Sequence, residues 1–159
     1  MAESNVTEGM PAPDFSLPST SGETISLSDF KGKQPVVVYF YPKDSTPGCT
    51  VEACSFRDNL AAVQSHGAAV LGVSPDSVKS HANFTQKQGL NFPLLADTER
   101  ELAKAYDVWV EKKQYGRTYM GIERSTFLID KDGKIKKIWR KVTPKTHVAD
   151  VIAALESSS

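Results

Sequence analysis

Apolar positions along this chain switch between two periods. "PVVVYFY" (35–41) is an unbroken β-branched and aromatic run, the mark of a strand covered on both faces. "AAVLGVS" (68–74) and "FPLLA" (92–96) are shorter runs of the same kind. Between and after them, residues 51–64, 77–88 and 98–106 carry the helical period. Strands alternating with helices predict βαβ units and a largely parallel central sheet with helices on its faces. The ends of the chain read differently. "DFSL" and "TISL" around "PSTSGE" predict a short N-terminal hairpin, after an extended lead-in over 1–13 that holds Pro11 and Pro13. "RSTFLIDKDGKIKKIW" (124–139) predicts an antiparallel hairpin turning at Asp132-Gly133, and residues 147–155 predict a closing helix. The pattern is that of an α/β fold with a mixed central sheet, flanking helices and an added N-terminal β-hairpin. Internal repeats are absent, and the one low-complexity stretch is the terminal "SSS".

Composition narrows this picture without changing it. A length of 159 residues suits one domain over 1–159. With 19 basic and 19 acidic residues the formal net charge is zero, so nothing argues for nucleic acid or an anionic membrane as partner. The one basic cluster, "KDGKIKKIWRK" (131–141), alternates like a strand with a solvated charged face. No run approaches the roughly 20 apolar residues that cross a bilayer. "MAESNVTEGMPAP" lacks the basic start and apolar run of a secretory signal. A cytoplasmic protein with no membrane association is therefore expected. In a reducing cytosol a cysteine pair is more often catalytic or metal-binding than structural.

The chain holds two cysteines, Cys49 and Cys54, both in "DSTPGCTVEACSF" (44–56). Thr46 fits an N-cap and Pro47 the first helical position, so Cys49 falls in the first turn of a helix. There it meets unpaired backbone N–H groups at the positive end of the helix dipole, which favours a thiolate. Cys49 shares its stripe with Ala53, Phe56, Leu60 and Val63, the core-facing side. Cys54 lies about 140° round the helix, its Cα roughly 8.7 Å from that of Cys49. That exceeds the ~7 Å limit for a disulfide. A bridge between them thus requires the first turns of the helix to unwind. Two unreactive core thiols are the plain alternative. A metal clip lacks its other ligands: His66, His81 and His147 are scattered singly and read as surface or helix-end residues. Neither a metal nor a cofactor is expected.

With these residues in view, the chain resembles the peroxiredoxins, most closely the bacterioferritin-comigratory-protein or Q-type subgroup. The family signature P-x-x-x-T-x-x-C reads here "PKDSTPGC" (42–49), and the subgroup's second cysteine matches Cys54 in "CTVEAC". "VLGVSPDSV", "FPLLAD" and "GIERSTFLID" are also similar, so the resemblance spans residues 8–155. It implies a thioredoxin-like fold and a thiol peroxidase acting on hydrogen peroxide and alkyl hydroperoxides. Cys49 matches the peroxidatic cysteine, and Cys54 the resolving cysteine that closes an intramolecular disulfide. Thr46 matches the hydroxyl that contacts peroxide and thiolate, Pro42 the residue that shields the pocket, and Arg124 the cation that stabilises both thiolate and peroxide. A thioredoxin-like or glutaredoxin-like donor is the implied reductant, and a monomer the implied state.

Plainer roles stand beside each of these. Thr46 caps a helix in any case, Pro42 ends a strand, and Arg124 has no local mark apart from the resemblance. Trp109, Tyr115 and Tyr119 form an aromatic stretch that suits a pocket wall or, for Trp109, the core. Two other functions compete. A thiol–disulfide oxidoreductase on this fold uses a C-x-x-C pair, which the chain lacks. A binding protein whose cysteines only sense oxidation forms a disulfide without turnover. "KGKQP" is no phosphate loop, since no G-x-x-x-x-G-K-[ST] surrounds it.

Overall fold

The computed structural model describes residues 6–156. The terminal "SSS" and the first five residues of the lead-in lie outside that range. A hairpin of β1 (Ser16–Pro18) and β2 (Thr24–Ser26) is followed by β3 (Val36–Phe40), α1 (Pro47–Ser65), β4 (Ala69–Ser74) and α2 (Val78–Gln88). Then come β5 (Leu94–Ala96), α3 (Glu101–Ala105), β6 (Trp109–Gln114) and β7 (Arg117–Ile122). The described chain closes with β8 (Ser125–Ile129), β9 (Ile135–Trp139) and α4 (His147–Glu156).

Five strands form the central sheet in the order β5-β4-β3-β8-β9. β3, β4 and β5 run parallel, whereas β8 and β9 are antiparallel to their neighbours. This is the mixed sheet that the pattern predicts, and the thioredoxin-like one that the resemblance implies. β3 is buried throughout, and its side chains alternate between two cores. Val37 and Tyr39 point into a core built with α1, α4 and Phe84 of α2. Val36, Val38 and Phe40 point into a second core with α3, Tyr106, Val108 and residues of the N-terminal segment. Gly72 of β4 lies where the first core leaves no room for a side chain. A Cβ there would sit 2.7 Å from Leu94 Cδ2 and 2.9 Å from the Tyr39 ring.

Both edges of the sheet are occupied by the N-terminal segment. Gly9 and Ala12 donate backbone N–H groups to Ile135 and Gly133, and Ile135 donates to Met10, which covers the β9 side. Thr20 donates to Leu94 and Ser19 bridges Leu95, which covers β5. Edge strands left bare are templates for pairing with other chains. No described helix is long and apolar enough to cross a membrane.

Two elements depart from the expected pattern. The helix expected over 98–106 shrinks to Glu101–Ala105, because Arg100 adopts φ 61° and the Asp97 carboxylate instead accepts the N–H groups of Leu102 and Ala103. The aromatic stretch after it becomes an antiparallel hairpin, β6 with β7, turning at Tyr115-Gly116 with φ 53° and 75°. Its strands are largely solvated, so they lack the apolar period that marks a strand in sequence. The Tyr-Gly turn with positive φ at both positions was the available signal.

Candidate active site

The strand–helix junction that carries the cysteines forms as the sequence predicts. α1 starts at Pro47 behind Thr46, whose φ −82° and ψ 154° are those of an N-cap. Thr46 gives no side-chain cap, however. Its hydroxyl donates to the Lys43 carbonyl at 3.0 Å. The hydroxyl proton is thus engaged, and its lone pairs stay available to accept. The stripe Cys49, Ala53, Phe56, Leu60 and Val63 is buried, as the periodicity requires. Both cysteines are free thiols on one continuous helix. Cys49 is 1% exposed, while half-buried Cys54 points elsewhere and donates its S–H to Gln88 Oε1 at 3.5 Å.

Arg124, in the link between β7 and β8, reaches the start of this helix. Its Nη2 donates to Cys49 Sγ at 3.1 Å and its Nη1 to Glu52 Oε1 at 2.8 Å. The sheet register brings these residues together across 75 positions of sequence. Gly48 makes room for the approach, since a Cβ there would stand 3.3 Å from Arg124 Nη2 and 3.6 Å from Pro144 Cγ. Burial works to lower the guanidinium pKa, but Cys49 and Glu52 outweigh it and raise that pKa.

Glu52 is the residue of this candidate site that sequence reasoning passed over. It is fully buried, and burial pushes its carboxyl up to about 7 against the pull of Arg124. Its Oε2 has no hydrogen-bond partner, nor has the neighbouring hydroxyl of Tyr39. The signal was present: Cys49, Glu52, Ala53 and Phe56 keep the i, i+3, i+4, i+7 spacing, so Glu52 is a charge on the core-facing stripe.

Pro42 is half-buried and lines a surface cleft with Pro75, Trp109, Lys112 and Tyr119. An adjoining groove shares Lys112 and Tyr119 and reaches Glu123 and Arg124. The β6–β7 hairpin therefore lines the surface beside Pro42 and Arg124. Trp109 does both things its composition allowed, packing on the second core and facing the cleft, with the Arg100 guanidinium 5.1 Å from its ring centre.

The histidines differ from expectation. His81 and His147 are buried rather than superficial, although His147 does begin a helix. His147 Nε2 pairs with Thr126 Oγ1 at 2.7 Å, and burial lowers its pKa to about 4. His81 joins Asp44 and Asp76 in a cluster whose ligand-type atoms lie within 4.8 Å of one another. Those atoms are engaged with each other and with Tyr41, Ser74 and Ser80, the way a hydrogen-bond network is built.

Comparison with known proteins bears on family and fold. The model of the AhpC/TSA family matches residues 9–138. Peroxiredoxin Bcp of Bacillus subtilis (strain 168) is 54% identical over 151 residues, covering 95% of this chain and 96% of the relative. Peroxiredoxin Bcp of Escherichia coli K12 is 47% identical over 136 residues, 86% of each chain. Among solved structures, a Xanthomonas campestris bacterioferritin comigratory protein, studied for alkyl peroxide reduction, superposes with a TM-score of 0.88. It is 43% identical and covers 98% of this chain and 99% of its own.

Proposed function

The chain belongs to the AhpC/TSA family as a peroxiredoxin of the Bcp or Q type, and we propose that it reduces hydrogen peroxide and alkyl hydroperoxides through Cys49. The observation that carries this is the Arg124 guanidinium 3.1 Å from a buried thiol at the first turn of α1. Cys49 thiolate attacks one peroxide oxygen and the O–O bond breaks. The thiol becomes sulfenic acid, and the departing oxygen takes a proton to leave as water or an alcohol. Charge moves from sulfur onto the peroxide oxygens as this happens, so donors placed there lower the barrier. Arg124 and the uncapped N–H groups of the first helical turn are such donors. Thr46, with its proton on Lys43, accepts from the peroxide O–H. Pro42 keeps water from one side.

Thiolate formation by itself supplies little of the rate. An ordinary cysteine, with a pKa of about 8.5, is ~3% thiolate at pH 7, so complete ionisation gains only ~30-fold. The remainder falls to the groups that hold the peroxide.

The second half of the cycle uses Cys54. After α1 opens, its sulfur attacks the sulfenic sulfur, water leaves, and a Cys49–Cys54 disulfide forms. An external dithiol of thioredoxin or glutaredoxin type reduces it by exchange. The reaction takes place in the cytoplasm, on a monomer forming a single domain, and needs no cofactor. Peroxide consumption with a thioredoxin or glutaredoxin recycling system tests this reading. Turnover that disappears in Cys49→Ser supports it. Disulfide formation without turnover would leave only an oxidation-sensing protein.

A further inference from the structure

Two residues upstream of Thr46, Asp44 is 6% exposed and tied down on every side. Its Oδ1 accepts from the Tyr41 hydroxyl at 2.6 Å. Its Oδ2 accepts from Ser80 Oγ at 2.8 Å and faces His81 Nδ1 at 2.7 Å. Its backbone N–H donates to Asp76 Oδ2 at 2.7 Å, and Ser74 holds that same oxygen at 2.8 Å. His81 reaches on to the Leu95 carbonyl with Nε2, at 2.9 Å. That carbonyl only accepts, so Nε2 donates to it and fixes the ring with Nδ1 facing the carboxylate. Bonds to a charged group in so buried a place are among the stronger ones a protein makes. Asp44 is thereby anchored to the end of β3, the end of β4, the first turns of α2, and through His81 to β5.

The chain changes character immediately after this anchor. Ser45 is exposed and holds φ 65°, a left-handed conformation that costs a non-glycine residue about 1 kcal/mol. α1 begins two residues later. Downstream, Cys49 and Glu52 are held only through Arg124 and Ala53 is a small buried side chain, so the first large side chain locked by stacking is Phe56, fully buried and 4.6 Å from Tyr39. Both cysteines lie in residues 45–55, between the two attachments.

We infer that Asp44 and His81 are positioning residues that fix the upstream end of the segment that opens during the cycle. This rests on the proposed Cys49–Cys54 cycle. Residues through Asp44 stay in place while the first turns of α1, residues 47–55, unwind, with Ser45 as the hinge. Pro42 and the Lys43 carbonyl, which holds Thr46, remain as a template. Cys49 then returns to the same pocket after each reduction. Without the anchor the opening spreads back through Pro42, and the closed form loses ground to the open one.

Hydrogen exchange of the reduced protein tests this without any peroxide chemistry, so it is independent of the cycle itself. In Asp44→Asn, which keeps volume and loses the charge, the amides of residues 50–55 should exchange roughly 10-fold faster or more, the scale set by losing a hydrogen bond to a charged group. The Asp44 amide should join them, while amides of β8 and α4 change far less. Ser80→Ala, which removes one bond and leaves the rest, should move the same amides by a smaller factor. It carries the test if the first variant does not fold. With peroxide added, the anchor variants should react more slowly at Cys49 and divert less of its sulfenic acid to sulfinic acid, because Cys54 reaches it sooner. Exchange in 50–55 that stays at the wild-type rate, or that rises equally across the whole chain, overturns the proposal. Failure of wild type to form a Cys49–Cys54 disulfide would refute the cycle instead, and the exchange data would still decide whether the anchor bounds the opening.

Discussion

Arg124 divides its donors between a thiol and a buried carboxylate, and each partner limits what the other can take. Glu52 holds one nitrogen so that the other stays on Cys49. Glu52→Gln keeps the shape but weakens that hold. A hydrogen bond to a charged group contributes about 1.5–3 kcal/mol, so kcat/KM for hydrogen peroxide should fall roughly 10- to 100-fold by stopped-flow measurement. Arg124→Ala or Thr46→Val should each lose far more than the ~30-fold that thiolate fraction alone explains. A loss matching only the altered thiolate fraction would remove them from transition-state binding. Glu52 also ties stability to pH. Its folded pKa of about 7 lies above its ordinary value of 4.5, so the folded protein holds a proton that the unfolded chain has released. The resulting stability is present below pH 4.5 and is lost as pH rises to about 7. His147, lowered to about 4 from 6.5, acts the opposite way, its stability being lost as pH falls through that window. Urea midpoints between pH 4 and 8 should therefore show Glu52→Gln losing the decline towards neutral pH while keeping the acid limb.

At the scale of elements, the proposed cycle has α1 do its first task folded and its second unfolded. The closed helix places Cys49 against Arg124 and turns Cys54 towards Gln88. Cys54→Ser should leave the first oxidation intact and let sulfenic acid accumulate, while turnover with a disulfide-specific reductant falls. Mass spectrometry after trapping reads this directly, and unchanged turnover would exclude Cys54 from the cycle. Gly48 belongs to the same element. Gly48→Ala should leave the helix formed but push Arg124 Nη2 outward by a few tenths of an ångström, lowering the peroxide rate with little change in Tm. The helix was legible in sequence because its start has a Pro and its buried stripe has a regular period. The β6–β7 hairpin was not, because solvated strands carry no such period and only the Tyr115-Gly116 turn marks them.

For the whole molecule, the N-terminal segment finishes what the sheet leaves open. Residues 9–12 pair with residues 133–135 at the start of β9, and residues 19–20 with Leu94 and Leu95 of β5. Deleting residues 1–12 should bare the β9 edge and raise self-association, seen as growth in light-scattering mass with protein concentration. A truncated chain that keeps the wild-type mass would show that the edge needs no cover. Gly72 sets a tighter limit. Gly72→Ala should cost about 1–3 kcal/mol by overpacking against Leu94 and Tyr39, read as a lowered urea midpoint. The sequence by itself determined the alternation of strands and helices, the buried face of α1, the placing of Cys49 at a helix start and the family resemblance. These depend on local spacing, which is written in neighbouring residues. The tertiary structure put Arg124 on Cys49, which only the resemblance had implied, and it alone decided that Glu52 holds Arg124 from inside the core and that Asp44 and His81 meet. Those pairs are 75, 72 and 37 residues apart. Their contact follows from the strand order and helix docking that bring distant segments to one end of the sheet, and no local pattern encodes that.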